Sequence, residues 1–162
     1  MKFSIGTMLA APLLVIALGS QPAAAQNVVA NYDSIGAALA ASGIEYEVVE
    51  VPERVLKADL QGYIFGIFLS DCDGKGNNCQ SVQFYTGIDT PTPITAEAAN
   101  TYTQTVRWGR VYREDDAVSM EMDVNLARGG ISRELFADYL DLWGMMVPSF
   151  MFWAEYGTIP GE

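Results

Sequence analysis

The stretch that most restricts how this chain can fold runs from Ser132 to about Glu155. Apolar residues recur at 135, 136, 139, 140, 143, 146, 147 and 150, the spacing of one broad face on a helix. Such a helix cannot stand alone in water and needs a sheet or other helices to cover it. Ser132 supplies a capping oxygen, and Ile131 before it and Phe136 four residues after it form a hydrophobic staple. Pro148 lies inside the pattern; having no N–H, it cannot bond back to Gly144, which predicts a kink there. The opposite stripe reads Glu134, Asp138, Asp141, Met145, Phe152. It begins acidic and turns apolar, so Met145 and Phe152, with Trp153 beside them, form a candidate partner-binding surface. The alternative is that the kink or the C-terminal tail buries these side chains.

Upstream, period-two runs supply the sheet. "AVSMEMDV", Ala117 to Val124, alternates Val118, Met120, Met122 and Val124 with other residues, and "RWGRVYR", Arg107 to Arg113, places Trp108, Arg110 and Tyr112 on one face. The "EDD" at 114–116 joins them as a hairpin turn. "GYIFGIFLS", Gly62 to Ser70, is apolar enough for a central strand, with "SVQFYTGI", Ser81 to Ile88, as its hairpin partner. "YEVVEV", Tyr46 to Val51, is a further strand ended by Pro52, and residues 54–60 form a short one. A first helix opens at Tyr32-Asp33-Ser34 with Asp33 placed to cap it. Ile35, Ala38, Leu39 and Ser42 share one of its faces, and Gly43 is its left-handed stop. A second helix starts at Thr95 and runs to about Val106. The order α-βββ(β)-α-ββ-α predicts an α+β fold, helices packed against an antiparallel sheet.

The N-terminus reads as an export signal. Lys2 precedes an apolar run of about 14 residues, Ile5 to Leu18, short of the roughly 20 needed to span a bilayer. Ala23-Ala24-Ala25 then sets small side chains where a signal peptidase reads, predicting cleavage before Gln26. Residues 1–25 are thus expected to be a cleaved leader and 26–162 a single domain, soluble in the periplasm, with no membrane span in the mature chain. An oxidising compartment predicts that Cys72 and Cys79 pair, stapling the "DGKGNN" loop between two strands. The loop has a superficial likeness to a calcium loop, but Lys75 occupies a ligand position and Val82 stands where a bidentate Glu should close the site. No metal site and no cofactor are expected.

Composition narrows the activity. Nine Lys and Arg against 20 Asp and Glu give a net charge of −11, which repels phosphate backbones and anionic headgroups. The absence of histidine removes the commonest general base and metal ligand. No nucleophile motif is present, so no catalytic residue is assigned. Glu121 and Asp123 project from the outer sheet face and read as a solvated surface. Arg107, Arg110 and Arg113 are expected to pair with internal carboxylates such as Glu114 and Asp116.

Two stretches carry a family likeness. "NTYTQTVRWGRVY", Asn100 to Tyr112, resembles the Asn-x-Trp-Asn…Arg-Phe-(Gly)-Arg segment of the YbjN family, with Tyr102 and Thr103 standing where that family usually has Trp and Asn. "MDVNLARGGISRELFADYLDLW", Met122 to Trp143, resembles its second block of strand, glycine turn and final helix. The family comprises candidate regulators of sensory transduction, and its fold is similar to that of the type III secretion chaperones. The resemblance implies a protein-binding or chaperone-like regulatory module acting on a protein partner or as a homodimer. The alternative is a small-molecule sensor with a pocket between sheet and helices.

Overall fold

A computed structural model of the chain describes residues 27–50, 54–73, 78–90 and 94–158. The expected leader and the centre of the Cys72–Cys79 loop lie outside these residues. The elements run α1 (Tyr32–Ala41), β1 (Glu45–Val49), β2 (Val55–Leu60), β3 (Tyr63–Ser70), β4 (Ser81–Asp89), α2 (Ala96–Thr103), β5 (Arg110–Glu114), β6 (Ala117–Asn125) and α3 (Arg133–Tyr156). This is the α+β order expected from the patterning. The six strands form one sheet in the order β1-β2-β3-β4-β6-β5, every neighbouring pair antiparallel.

Alternation assigns the two faces of that sheet. Ile67 lies opposite Phe84, Phe84 opposite Met122, and Val82 opposite Val124, so these side chains share one face and are buried. On this face α3 lays Phe136, Leu140, Trp143, Val147 and Phe150, all buried. Phe84 meets Phe136 edge-on at 6.0 Å and Trp143 at 5.8 Å. Ring pairs of this geometry contribute about 0.5–1.5 kcal/mol each beyond the area they bury. Gly144 lets the helix come close to β2, since a Cβ there would lie 2.9 Å from Leu60 Cδ2. Through Pro148 α3 continues as a single helix, and Gly157 ends it at φ +73°.

Several ends differ from the expectation for local reasons. Asn31, not Asp33, caps α1: Asn31 has extended backbone angles and its Oδ1 accepts from the Ser34 N–H at 2.7 Å. Asp33 falls in the first turn, where its charge still suits the helix dipole. The second helix stops at Thr103 rather than Val106, where the side chain of this last helical residue reaches the sheet. Its hydroxyl accepts from the Val111 N–H at 2.9 Å and donates to the Val111 carbonyl at 2.8 Å. That pairing satisfies the outer edge of β5 at Val111, near its start, and blunts the strand edge there. The strand itself begins at Arg110, leaving Arg107 and Trp108 outside it. Near the start of α3, Val28 pairs with Ile131 through two backbone bonds of 2.8 and 3.1 Å, fastening the N-terminal segment beside the helix entry.

Candidate functional site

Two surfaces concentrate features that packing alone does not require. The first is the outer side of the second half of α3. Met145 is 67 % exposed and Phe152 40 %, and the Phe152 ring sits 4.7 Å from that of Tyr156. With Tyr63 and Pro148 they line a shallow depression of about 770 Å³. Trp153, expected on this surface, is a correction. It follows Phe150 by three residues and therefore shares the core side of the helix. There it is buried and stacks on Tyr102 at 4.4 Å.

The second surface is the sheet face turned away from α3, on β4, β6 and β5. Tyr85 lies opposite Glu121, Gln83 opposite Asp123, Arg110 opposite Glu121, and Tyr112 opposite Ser119. Glu121, expected to be solvated, is only 8 % exposed. The reason is that longer side chains from both neighbouring strands close over it. Arg110 Nη2 is 2.5 Å from its Oε2, and the Tyr112 hydroxyl donates to its Oε1. Arg110 also reaches Asp123 through Nη1 at 2.5 Å, so its partners are Glu121 and Asp123 rather than Glu114 and Asp116. Arg113 donates instead to the Asp115 carbonyl, and Arg107 lies over the Trp108 ring at 5.3 Å.

A second knot adjoins the first. Fully buried Ser119 donates to Glu114 Oε2 at 2.8 Å, and the Tyr85 hydroxyl lies 3.0 Å from Ser119 Oγ and 3.2 Å from the same Glu114 oxygen. Burial, opposed in part by the Ser119 hydrogen bond, holds the Tyr85 phenol above its ordinary range, and Glu114 adds to the rise. Tyr112 is raised further, by burial first and then by its bond to the Glu121 carboxylate. The Asp123 hydrogen bond, ahead of the cost of burial, keeps the Arg110 guanidinium firmly charged. Tyr85, Tyr112, Glu114 and Glu121 line a groove of about 850 Å³, to which Tyr32 and Arg54 also contribute. Cys72 and Cys79, joined in a disulfide as expected, form part of its rim. Among the described residues no group of three or more carboxylates and cysteines is arranged to hold a metal ion.

Residues 31–155, from the N-cap of α1 to the last turn of α3, match a family with the description "YbjN: Putative bacterial sensory transduction regulator". The chain belongs to the YbjN family. No curated protein and no solved structure matches it significantly. Apart from Tyr156, the residues named for both surfaces fall inside the YbjN region, and the family description is that of a regulator rather than an enzyme. Among the described residues, no helix is long and apolar enough to cross a membrane.

The groove was not anticipated from the residues. Its signal was the recurrence of Tyr and Glu on the polar phase of three strands: Tyr85, Tyr112 with Glu114, and Glu121. Reading it requires knowing that β6 sits between β4 and β5, which no local pattern states.

Proposed function

We propose that this YbjN chain is an exported, non-catalytic regulatory module that works by binding protein in a chaperone-like manner. One observation carries the reading. The helix that buries Phe136, Leu140, Trp143, Val147 and Phe150 against the sheet leaves Met145 and Phe152 exposed on its outer face. Large apolar side chains grouped on a surface mark association sites, and flexible methionine suits partners that vary in shape. The occupant proposed is a protein segment presenting apolar side chains; a second copy of the chain is the other outcome the test distinguishes. Export rests on the leader pattern at 1–25, with the mature domain starting at Gln26 in the periplasm, and the disulfide suits that compartment.

The alternative of a sensor pocket between sheet and helices finds little support. Phe65, Phe84, Phe136 and Trp143 fill the layer between the sheet and α3, and the 850 Å³ groove lies on the sheet face turned away from α3, with the start of α1 at its border.

The test is the double variant Met145→Glu, Phe152→Asp. Both positions are exposed, so the monomer should keep its melting behaviour to within about 1 kcal/mol. Sedimentation reads self-association, and suppression of aggregation of a heat-denatured client reads chaperone-like binding. Loss of client suppression with retained folding supports the proposal. Loss of self-association alone assigns the face to a second copy, and a variant equal to wild type in both overturns the reading.

A further inference from the structure

We propose that the groove on the open sheet face binds a small organic cation, an aliphatic amine or guanidine, with Glu114 as its counter-charge and Tyr85 and Tyr112 as its walls. The inference is independent of the α3 surface. It begins from shape: about 850 Å³ is within the range of sites that take small ligands, and polar groups from three strands converge on it.

Charge then selects the ligand. Among the described residues, three carboxylates, Asp33, Glu114 and Glu121, line the groove against one guanidinium, that of Arg54. Arg54 is engaged elsewhere, lying over the Tyr32 ring at 4.7 Å and 3.4 Å from Glu50. Arg110 neutralises Glu121 but is shared with Asp123. Glu114 has no cationic partner among the described residues. Among the described residues the hydrogen bonds to its carboxylate, from Ser119 and Tyr85, both fall on Oε2 and leave Oε1 without a protein donor.

An anion would meet uncompensated negative charge there, and a neutral apolar ligand would desolvate carboxylates with nothing in return. A cation gains a charge-assisted bond to Glu114 beside the aromatic residues that line the groove, among them Tyr85, Tyr112 and Phe68, the last edge-on to Tyr85 at 6.0 Å. The same ammonium or guanidinium could arrive free or on a Lys or Arg side chain of a protein. The arms of the experiment distinguish these two sources, and the free molecule is the one proposed.

The experiment is calorimetric titration of the full mature protein, at near-physiological salt, with putrescine, spermidine and agmatine. Succinate serves as the anionic control, and a lysine- and arginine-containing hexapeptide as the protein-borne source. Saturable one-to-one binding of at least one amine or guanidine is expected, with no response to succinate. Glu114→Gln, which keeps the shape and the bond from Ser119, should weaken binding about tenfold. Glu97→Gln on α2 makes the same change in net charge away from the groove and should leave binding as it was. Thermal melts confirm that both variants fold. No saturable amine binding overturns the proposal. So does equal weakening by the two variants, which would mean a general attraction to an acidic surface, and so does binding of the peptide alone. The α3 double variant should bind the amine normally, so failure here and failure of the partner-binding reading are told apart.

Discussion

Glu121 sits on β6 with Arg110 and Tyr112 reaching it from β5 and Tyr85 facing it from β4. A carboxylate this deep would cost several kcal/mol if left alone, and here a guanidinium and a phenol supply the missing hydrogen bonds. The arrangement has a pH consequence. Burial and Glu121 raise the Tyr112 pKa above the 10.0 of a free phenol. In the unfolded chain this tyrosine ionises near that value, while in the native state it keeps its proton. Above it the unfolded state binds fewer protons, so stability must fall as pH rises; below it the contribution is fully present. Tyr112→Phe should cost about 1 kcal/mol near neutrality by removing the bond to Glu121. It should also remove part of the alkaline loss, so the gap between variant and wild type narrows above pH 10. Urea midpoints measured from neutral to strongly alkaline pH check this, and parallel curves would refute it. Residue-level chemistry of this kind was hidden in the sequence, where Glu121 and Asp123 read as an outer polar phase. Their phase was right, but burial depended on side chains contributed by residues up to 36 positions away, as from Tyr85 to Glu121.

At the scale of elements, the turn into α3 shows how one backbone position can decide an attachment. Gly129 and Gly130 both have positive φ, +97° and +82°. A Cβ on Gly129 would meet nothing within 4 Å, whereas one on Gly130 would lie 2.1 Å from the Val28 carbonyl oxygen. Gly129→Ala should therefore cost only backbone strain, about 1 kcal/mol. Gly130→Ala should cost about 3 kcal/mol or more, because strain adds to the displacement of Val28 from its bridge to Ile131. Denaturant melts of the two variants decide it, and equal losses would show that the bridge is dispensable. The existence and order of the elements were legible in the sequence because each depends on its own periodicity. The Val118–Val124 alternation became core, as did Phe136, Leu140, Trp143, Val147 and Phe150 of the helical stripe, whereas Leu135 at its start is exposed and Tyr139 and Met146 are half-buried. What local patterning did not resolve was the ends. Asn31 displaced Asp33 as cap, and Thr103, the last residue of α2, bonds to β5, each end decided by a hydrogen bond partner. Trp153 was misplaced for a related reason. Beside Phe152 it reads as a surface neighbour, but a helix turns adjacent residues about 100° apart, which carries it to Tyr102.

For the whole molecule, one core layer separates the two surfaces: the exposed face of α3 lies on one side and the acidic groove on the other. A net charge of −11 adds self-repulsion that the packed core must overcome, so constraints on the unfolded chain matter more than they would in a neutral domain. The Cys72–Cys79 disulfide is such a constraint, closing a short loop between β3 and β4, with a sequence separation of 7. For a loop of this length the chain-entropy model gives about 2.5 kcal/mol of stabilisation. It acts through the unfolded state, because β3 and β4 are already held in register by their own ladder from Gly66–Tyr85 to Ser70–Ser81. The Cys72→Ser, Cys79→Ser variant should therefore fold with the same sheet but lose about 2.5 kcal/mol. Its denaturant slope should rise, since an unfolded chain freed of the cross-link exposes more surface. Wild type treated with reductant should match it in both respects. Loss of the sheet in either sample would mean that the disulfide is needed to build the β3–β4 hairpin. No change in stability would mean that the loop is already confined without it, and the argument for an oxidising compartment would then lose its energetic basis.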